Sequence, residues 1–129
     1  MKHVVVMVVE DNQDTCVMIS LMLENDGFEV FAASNPSTAL DYLYSNKPDV
    51  IVVDLMLPEM TGLEFIRHVR RIANYDLTPI VAISAYDQRY LAAAIMAGAD
   101  AALHKPEDIE RLGDTIKEVL SRKRPDKVA

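Results

Sequence analysis

Glu10, Asp11, Asp54, Ser84 and Lys105 each stand where an apolar run of this chain ends. Glu10 and Asp11 follow residues 4–9, and Asp54 follows residues 50–53. Ser84 follows residues 79–83, and His104, Lys105 and Pro106 follow residues 100–103. Carboxylates held close together repel one another unless a cation lies among them. Their hard oxygens suit Mg2+, with Mn2+ or Ca2+ as alternatives. Mg2+ leaves ligand positions for water and phosphate oxygens, and a hydroxyl and an ammonium nearby would donate to the same oxygens. An Asp beside such a metal can itself act as a nucleophile and form an acyl phosphate.

Each residue alone has a plainer reading. Glu10 and Asp11 would cap the next helix, Ser84 would close a turn, and Lys105 would be a surface lysine. Their joint weight depends on the elements that carry them. Residues 4–9 form an apolar, β-branched run, the mark of a strand buried on both faces. Asn12 or Asp14 starts a helix reaching about Asp26, with Met18, Ile19, Met22 and Leu23 turned inward and Gly27 ending it. Residues 28–32 alternate as an edge strand would. Asn35-Pro36-Ser37 opens a second helix with Ala39, Leu40 and Leu43 facing in.

The same alternation continues to the end of the chain. Residues 50–53 are a buried strand, followed beyond Pro58 by a helix with Leu63, Ile66 and Val69 inward. Residues 79–83 form the next strand, residues 87–97 a helix closed by Gly98, residues 100–103 a short strand, and residues 107–120 the last helix. Gly113 within that helix costs about 1 kcal/mol against Ala. Five βα units give a doubly wound α/β fold, a parallel sheet with helices on both faces. In such a sheet ligands gather beyond the carboxyl ends of the strands. The five polar residues therefore meet on one rim.

Val8-Val9-Glu10-Asp11-Asn12, the stretch from Val53-Asp54 through Met60-Thr61-Gly62, Ala82-Ile83-Ser84-Ala85, and Gly98-Ala99-Asp100 through Lys105-Pro106 resemble the receiver domains of two-component systems. The resemblance covers about residues 3–121 and leaves 122–129 as a short basic tail, whose cations suit a helix end. It implies a flavodoxin-like fold with strand order 2-1-3-4-5 and a signalling module rather than an enzyme, beyond its own phosphorylation and dephosphorylation. It implies that Asp54 is the phosphoacceptor. Asp11, Asp54 and the Met56 carbonyl would bind Mg2+, with Glu10 acting through a bound water. Ser84 would hydrogen-bond the phosphoryl oxygens and carry the switch, Lys105 would pair with Asp54 or its phosphate, and the Lys105–Pro106 bond would be cis. Met56 and Tyr86 would flank the path of the water that hydrolyses the acyl phosphate. The donor would be a phosphohistidine on a sensor histidine kinase or a histidine phosphotransfer protein, and the output would go to a downstream protein target.

One position departs from the family pattern. Three residues before the lysine, where most receivers carry Tyr or Phe, this chain has Ala102. The usual moving ring is missing, which favours a rival reading as a pseudo-receiver that binds partners without phosphate. The complete set of Glu10, Asp11, Asp54, Ser84 and Lys105 argues against that rival. Residues 91–97 are apolar nearly all round, so part of that helix is core and part is a contact surface, with a homodimer through the Ala102 face as one use of it.

Bulk composition narrows the classes further. The chain has 129 residues, half of them hydrophobic, and a net charge of −7. That is one folded domain, and its acidity disfavours direct contact with nucleic acid. The single cysteine, Cys16, excludes a disulfide framework and is expected to be packed. The apolar start is too short for a secretory leader, and no run approaches the ~20 residues of a membrane span, so a cytoplasmic location is expected. A haloacid-dehalogenase-type phosphatase needs a second Asp two residues after the nucleophile, where this chain has Met56. Neither GxGxxG nor GxxxxGK[ST] is present. The chain reads as a stand-alone regulator or a receiver excised from a longer protein.

Overall fold

A computed structural model describes residues 3–123. The elements follow in strict alternation: β1 (Val5–Val9), α1 (Gln13–Asn25), β2 (Glu29–Ala33), α2 (Pro36–Ser45), β3 (Val50–Asp54), α3 (Gly62–Arg71), β4 (Ile80–Ser84), α4 (Gln88–Ala97), β5 (Ala101–His104) and α5 (Leu112–Lys123). The strands pair in parallel in the order β2-β1-β3-β4-β5, the flavodoxin-like arrangement.

The central strands are buried on both faces because their alternate side chains enter two different cores. Met7, Val9, Ile51, Val53, Ile80 and Ala82 pack with α2, α3 and α4. Val6, Val8, Val50, Val52, Val81 and Ile83 pack with α1 and α5. Helix starts are set by local side chains. Asn12 accepts a bond from Thr15 N–H, Asn35 from Thr38 N–H, and Asp87 from Arg89 N–H. Thr61 and Glu64 form a reciprocal capping box at α3.

Four details differ from the expectations above. Met18 is not turned inward but 45 % exposed, and Met22 is only partly buried. Ile19 and Leu23, four residues apart, take the narrow stripe facing the sheet, and Met18 lies about 100° round from Ile19. On α3 the fully buried Phe65 joins Ile66 and Val69, while Leu63 is partly buried. The last helix begins at Leu112, not near Glu107. Asp108 N–H donates to the His104 carbonyl and a 3-10 turn spans Ile109–Arg111, so the chain spends that stretch turning. The strands β2, β4 and β5 each run one residue further than expected, which brings Ser84 and His104 into the sheet.

Arg70 ties together the amino edge of the sheet. Its guanidinium donates to the carbonyls of Gly98, Tyr75 and Thr78 and to the Asp100 carboxylate, at 3.0, 2.8, 2.6 and 3.1 Å. Gly98, at φ 124°, closes α4 in a conformation that side chains rarely adopt. At the other edge, a Cβ on Gly62 would lie 2.5 Å from the Asp54 carbonyl oxygen, so only glycine lets α3 start against the end of β3.

Candidate functional site

Sheet register alone aligns the polar residues. Val9 lies beside Val53, Asp54 beside Ile83, and Ser84 beside His104. Adjacent strands are about 4.8 Å apart, so the residues at and just past these pairs share one rim. Glu10 is 1 % exposed, Asp54 5 % and Ser84 0 %, while Asp11 is open to solvent at the mouth.

The Lys105 ammonium sits between two carboxylates, 2.9 Å from Glu10 Oε1 and 2.9 Å from Asp54 Oδ2. The other Asp54 oxygen accepts from Met56 N–H at 2.9 Å, and the other Glu10 oxygen from Asn12 N–H at 3.2 Å. Ser84 Oγ accepts from Tyr86 N–H at 3.0 Å, and the Ser84 carbonyl accepts from Lys105 N–H at 2.7 Å. The Lys105–Pro106 bond is cis. Glu10, Asp11 and Asp54 each offer a carboxylate oxygen within 4.8 Å of the others. This all-oxygen donor set, with one member at the mouth, fits a hard divalent cation.

Burial pushes the Glu10 carboxyl up to about 7, helped by its hydrogen bond with Asp54 and opposed by Lys105. Burial alone would lower the Lys105 ammonium. Its hydrogen bonds to Asp54 and Glu10 outweigh that and hold it above the ordinary lysine value. The rim is thus one coupled group of two buried carboxyls and a cation.

A family model described as the response regulator receiver domain matches residues 6–117. The chain belongs to this receiver family. Similar curated proteins include the response regulator ArlR of Staphylococcus epidermidis, 37% identical over 123 residues, covering 95% of this chain and 54% of ArlR. KdpE of Escherichia coli, a KDP operon transcriptional regulatory protein, is 36% identical over 118 residues, covering 91% of this chain and 51% of KdpE. The receiver thus spans about half the length of these relatives. DivK of Brucella anthropi, a polar-differentiation response regulator, is 31% identical over 116 residues, covering 89% of this chain and 94% of DivK. Among solved structures, the chemotaxis response regulator CheY4 of Vibrio cholerae superposes with a TM-score of 0.85 at 32% identity, covering 92% of this chain and 100% of that one.

This receiver is a signalling module of a two-component system rather than a catalytic enzyme. Its acidic pocket is consistent with a phosphoacceptor site and could hold a metal. Among the described residues, no helix is long and apolar enough to cross a membrane.

Of the other residues singled out in the receiver, Met56 and Tyr86 follow the strand ends at this rim and Ala102 lies further back in β5. Met56 and Tyr86 are each 46 % exposed. The Tyr86 ring lies 5.2 Å from that of Tyr90 on α4. Ala102 pairs with Ala82 and lines a hollow of about 340 Å³ with Leu91, Ile95 and Leu103. Cys16 is partly buried and its thiol is raised by burial, as expected of a packed cysteine. Sequence reasoning gave His104 no role. Its Nε2 lies 3.2 Å from the Ala85 carbonyl and its Nδ1 meets Glu107, so it bridges the loop after β4 and the turn after β5. That bridge depends on strand register, for which the sequence carries no local signal.

Proposed function

We propose that this receiver accepts a phosphoryl group on Asp54 from a phosphohistidine, on a histidine kinase or a histidine phosphotransfer protein. The carrying observation is that Asp54, buried at the end of β3, meets Lys105 on one oxygen and the Glu10–Asp11 carboxylates within 4.8 Å. One Asp54 oxygen attacks phosphorus, the nitrogen–phosphorus bond breaks, and the bonding pair returns to the imidazole. Asp11, Asp54 and the Met56 carbonyl would hold Mg2+, with Mn2+ as a substitute and Glu10 acting through a water. When bound, the cation shields the charge between carboxylate and phosphate. Lys105 is placed to follow the charge from carboxylate to phosphoryl oxygen, and the Ser84 hydroxyl to donate to another. Incubation with acetyl phosphate and Mg2+ should add one phosphoryl mass, read by intact-protein mass spectrometry. No added mass under these conditions would leave the pseudo-receiver reading, for which Ala102 is the supporting feature.

The donor's approach has support beside the site. A hollow of about 370 Å³ runs from Glu10 and Asp11 along α1 to Cys16 and Leu21. Val17 and Leu21 line it and are 51 % and 61 % exposed, and Met18 on the same helix is 45 % exposed, an apolar surface suited to a partner helix. We take the domain as residues 3–121 in the cytoplasm, acting alone or within a longer protein. Of the basic tail, residues 124–129 lie outside the described residues.

Lifetime and output depend on the residues at the mouth. Bulky side chains at Met56 and Tyr86 crowd an in-line water, and lost alignment lowers its rate of attack. Met56→Asn with Tyr86→Ser should shorten the half-life of the acyl phosphate about tenfold, measured by loss of the phosphoryl mass over time. Unchanged decay would remove this explanation.

Ala102 cannot rotate as an aromatic ring would, so the signal has to leave through the loop after Ser84. The exposed apolar surface around the hollow, with Ile95 at 47 % and Met96 at 87 %, suits a downstream protein or a second copy. Ala102→Asp should weaken that association about tenfold or more, through a buried unpaired charge. Phosphorylation at Asp54 should be unaffected. Sedimentation with and without beryllofluoride, together with pull-down of the phosphorylated form, checks both points.

A further inference from the structure

A third hollow lies at the opposite edge of the sheet. The C-terminal ends of α2 and α3 and the loops that follow them border an open hollow of about 970 Å³, a volume in the range of small-molecule sites. The helices run antiparallel to the strands, so this cup opens at the amino edge, a strand length of about 17 Å from the Asp54 rim.

Its lining is unlike the rest of the molecule. The chain carries a net charge of −7, yet none of the eleven residues around the cup is acidic. Lys47, His68 and Arg71 line it instead. The nearby Asp49 accepts from Val5 N–H at 2.8 Å. Lys47 is held in place rather than trailing in solvent. Its ammonium lies 3.9 Å from the centre of the Tyr75 ring and donates to the Asn74 carbonyl. Tyr75 is anchored in turn, its hydroxyl donating to the carbonyls of Leu43 and Asn46 at 2.7 and 2.6 Å. Arg71 is exposed and donates through Nε to the Arg67 carbonyl. Beside them Tyr44 is 66 % exposed, with its hydroxyl 3.4 Å from His68 Nε2. These cations also suit the helix ends that carry them. That role accounts for neither a volume of this size nor an exposed aromatic wall facing it.

We propose that this cup binds a nucleoside monophosphate. The phosphate would meet Arg71 and Lys47, and the base would stack on the Tyr44 ring. Guanidinium and ammonium groups bind phosphate through charge-assisted bonds, and an exposed ring stacks any base face. The site does not depend on the chemistry assigned to Asp54.

The test is titration of the protein with AMP, adenosine and inorganic phosphate, in EDTA so that the acidic rim takes up no metal. Binding is followed by calorimetry and by the shifts of the Tyr44 and His68 ring signals. AMP should bind saturably with Kd below about 1 mM and at least about tenfold tighter than adenosine or phosphate alone. Arg71→Glu and Tyr44→Ala should each weaken AMP about tenfold or more. Both positions are at the surface, and unchanged far-UV circular dichroism would show that the variants fold. Asp54→Asn should leave AMP affinity unchanged, and Arg71→Glu should still be phosphorylated by acetyl phosphate. The proposal is overturned by AMP binding no tighter than phosphate, by no saturation up to about 10 mM, or by both variants retaining full affinity.

Discussion

Asp54→Asn should take up no acid-labile phosphate from acetyl phosphate, a loss on the order of 10⁴-fold or more. The wild-type protein in excess EDTA should fall to the same background. The amide removes the negative charge and one of the two carboxylate oxygens, of which Lys105 holds one and Met56 N–H the other, each at 2.9 Å. Neither neighbouring carboxylate can stand in. Glu10 is almost wholly enclosed and bonded to Lys105 and Asn12, and Asp11 lies at the open mouth. Without metal, the wild-type carboxylate and an incoming phosphate repel one another across a pocket that already holds two further carboxyls. Phosphorylation that survives Asp54→Asn would move the acceptor to another residue. Phosphorylation that survives EDTA would remove the metal from the chemistry.

Stability should fall as pH rises from about 5 to 8 in the absence of divalent cations, and Glu10→Gln should abolish most of that fall. The Glu10 carboxyl has an ordinary value of 4.5 and sits at about 7 in the folded chain. Below 4.5 both folded and unfolded chains hold the proton and there is no penalty. Between 4.5 and 7 the folded chain keeps a proton that the unfolded chain has lost, so each step up in pH favours unfolding. Above 7 the full cost is present, about 3 kcal/mol as an upper figure for the coupled group. Mg2+ requires ionised carboxylates and binds only the folded chain, so the stabilisation it confers should grow over the same pH interval. Urea unfolding midpoints at pH 5, 6, 7 and 8, with EDTA or Mg2+, measure both effects. An equal slope in Glu10→Gln would show that Glu10 is not the group responsible.

The central strands were legible because burial on both faces leaves an unbroken apolar run, as in residues 50–53, that no surface element tolerates. The site was legible because three of those runs end in groups able to handle phosphate. What the sequence withheld depends on tertiary choices. Nothing local distinguishes Met18 from Met22, yet the sheet accepts only the Ile19–Leu23 stripe. The resemblance pointed Lys105 toward Asp54. Its equal bond to Glu10, across 95 residues of chain, follows from β1 and β3 lying side by side. The late start of α5 was hidden because Glu107 and Asp108 suit a first helical turn as well as the turn they actually make.

The Arg70 clamp makes α4 a door hung at one end. Its last turn is pinned through the Gly98 carbonyl, whereas its first turn continues from the loop in which Tyr86 N–H rests on the Ser84 hydroxyl. A ten-residue helix is about 15 Å long and stiff. A tug on Ser84 therefore swings Gln88 furthest and Ala97 least, and the surface carrying Ile95 and Met96 tilts about a nearly fixed jamb. Amide exchange on adding beryllofluoride should change in a gradient along α4, steep near residue 88 and flat near residue 97. Arg70→Met would unhang the door, and the gradient should give way to a uniform loss of protection from both ends.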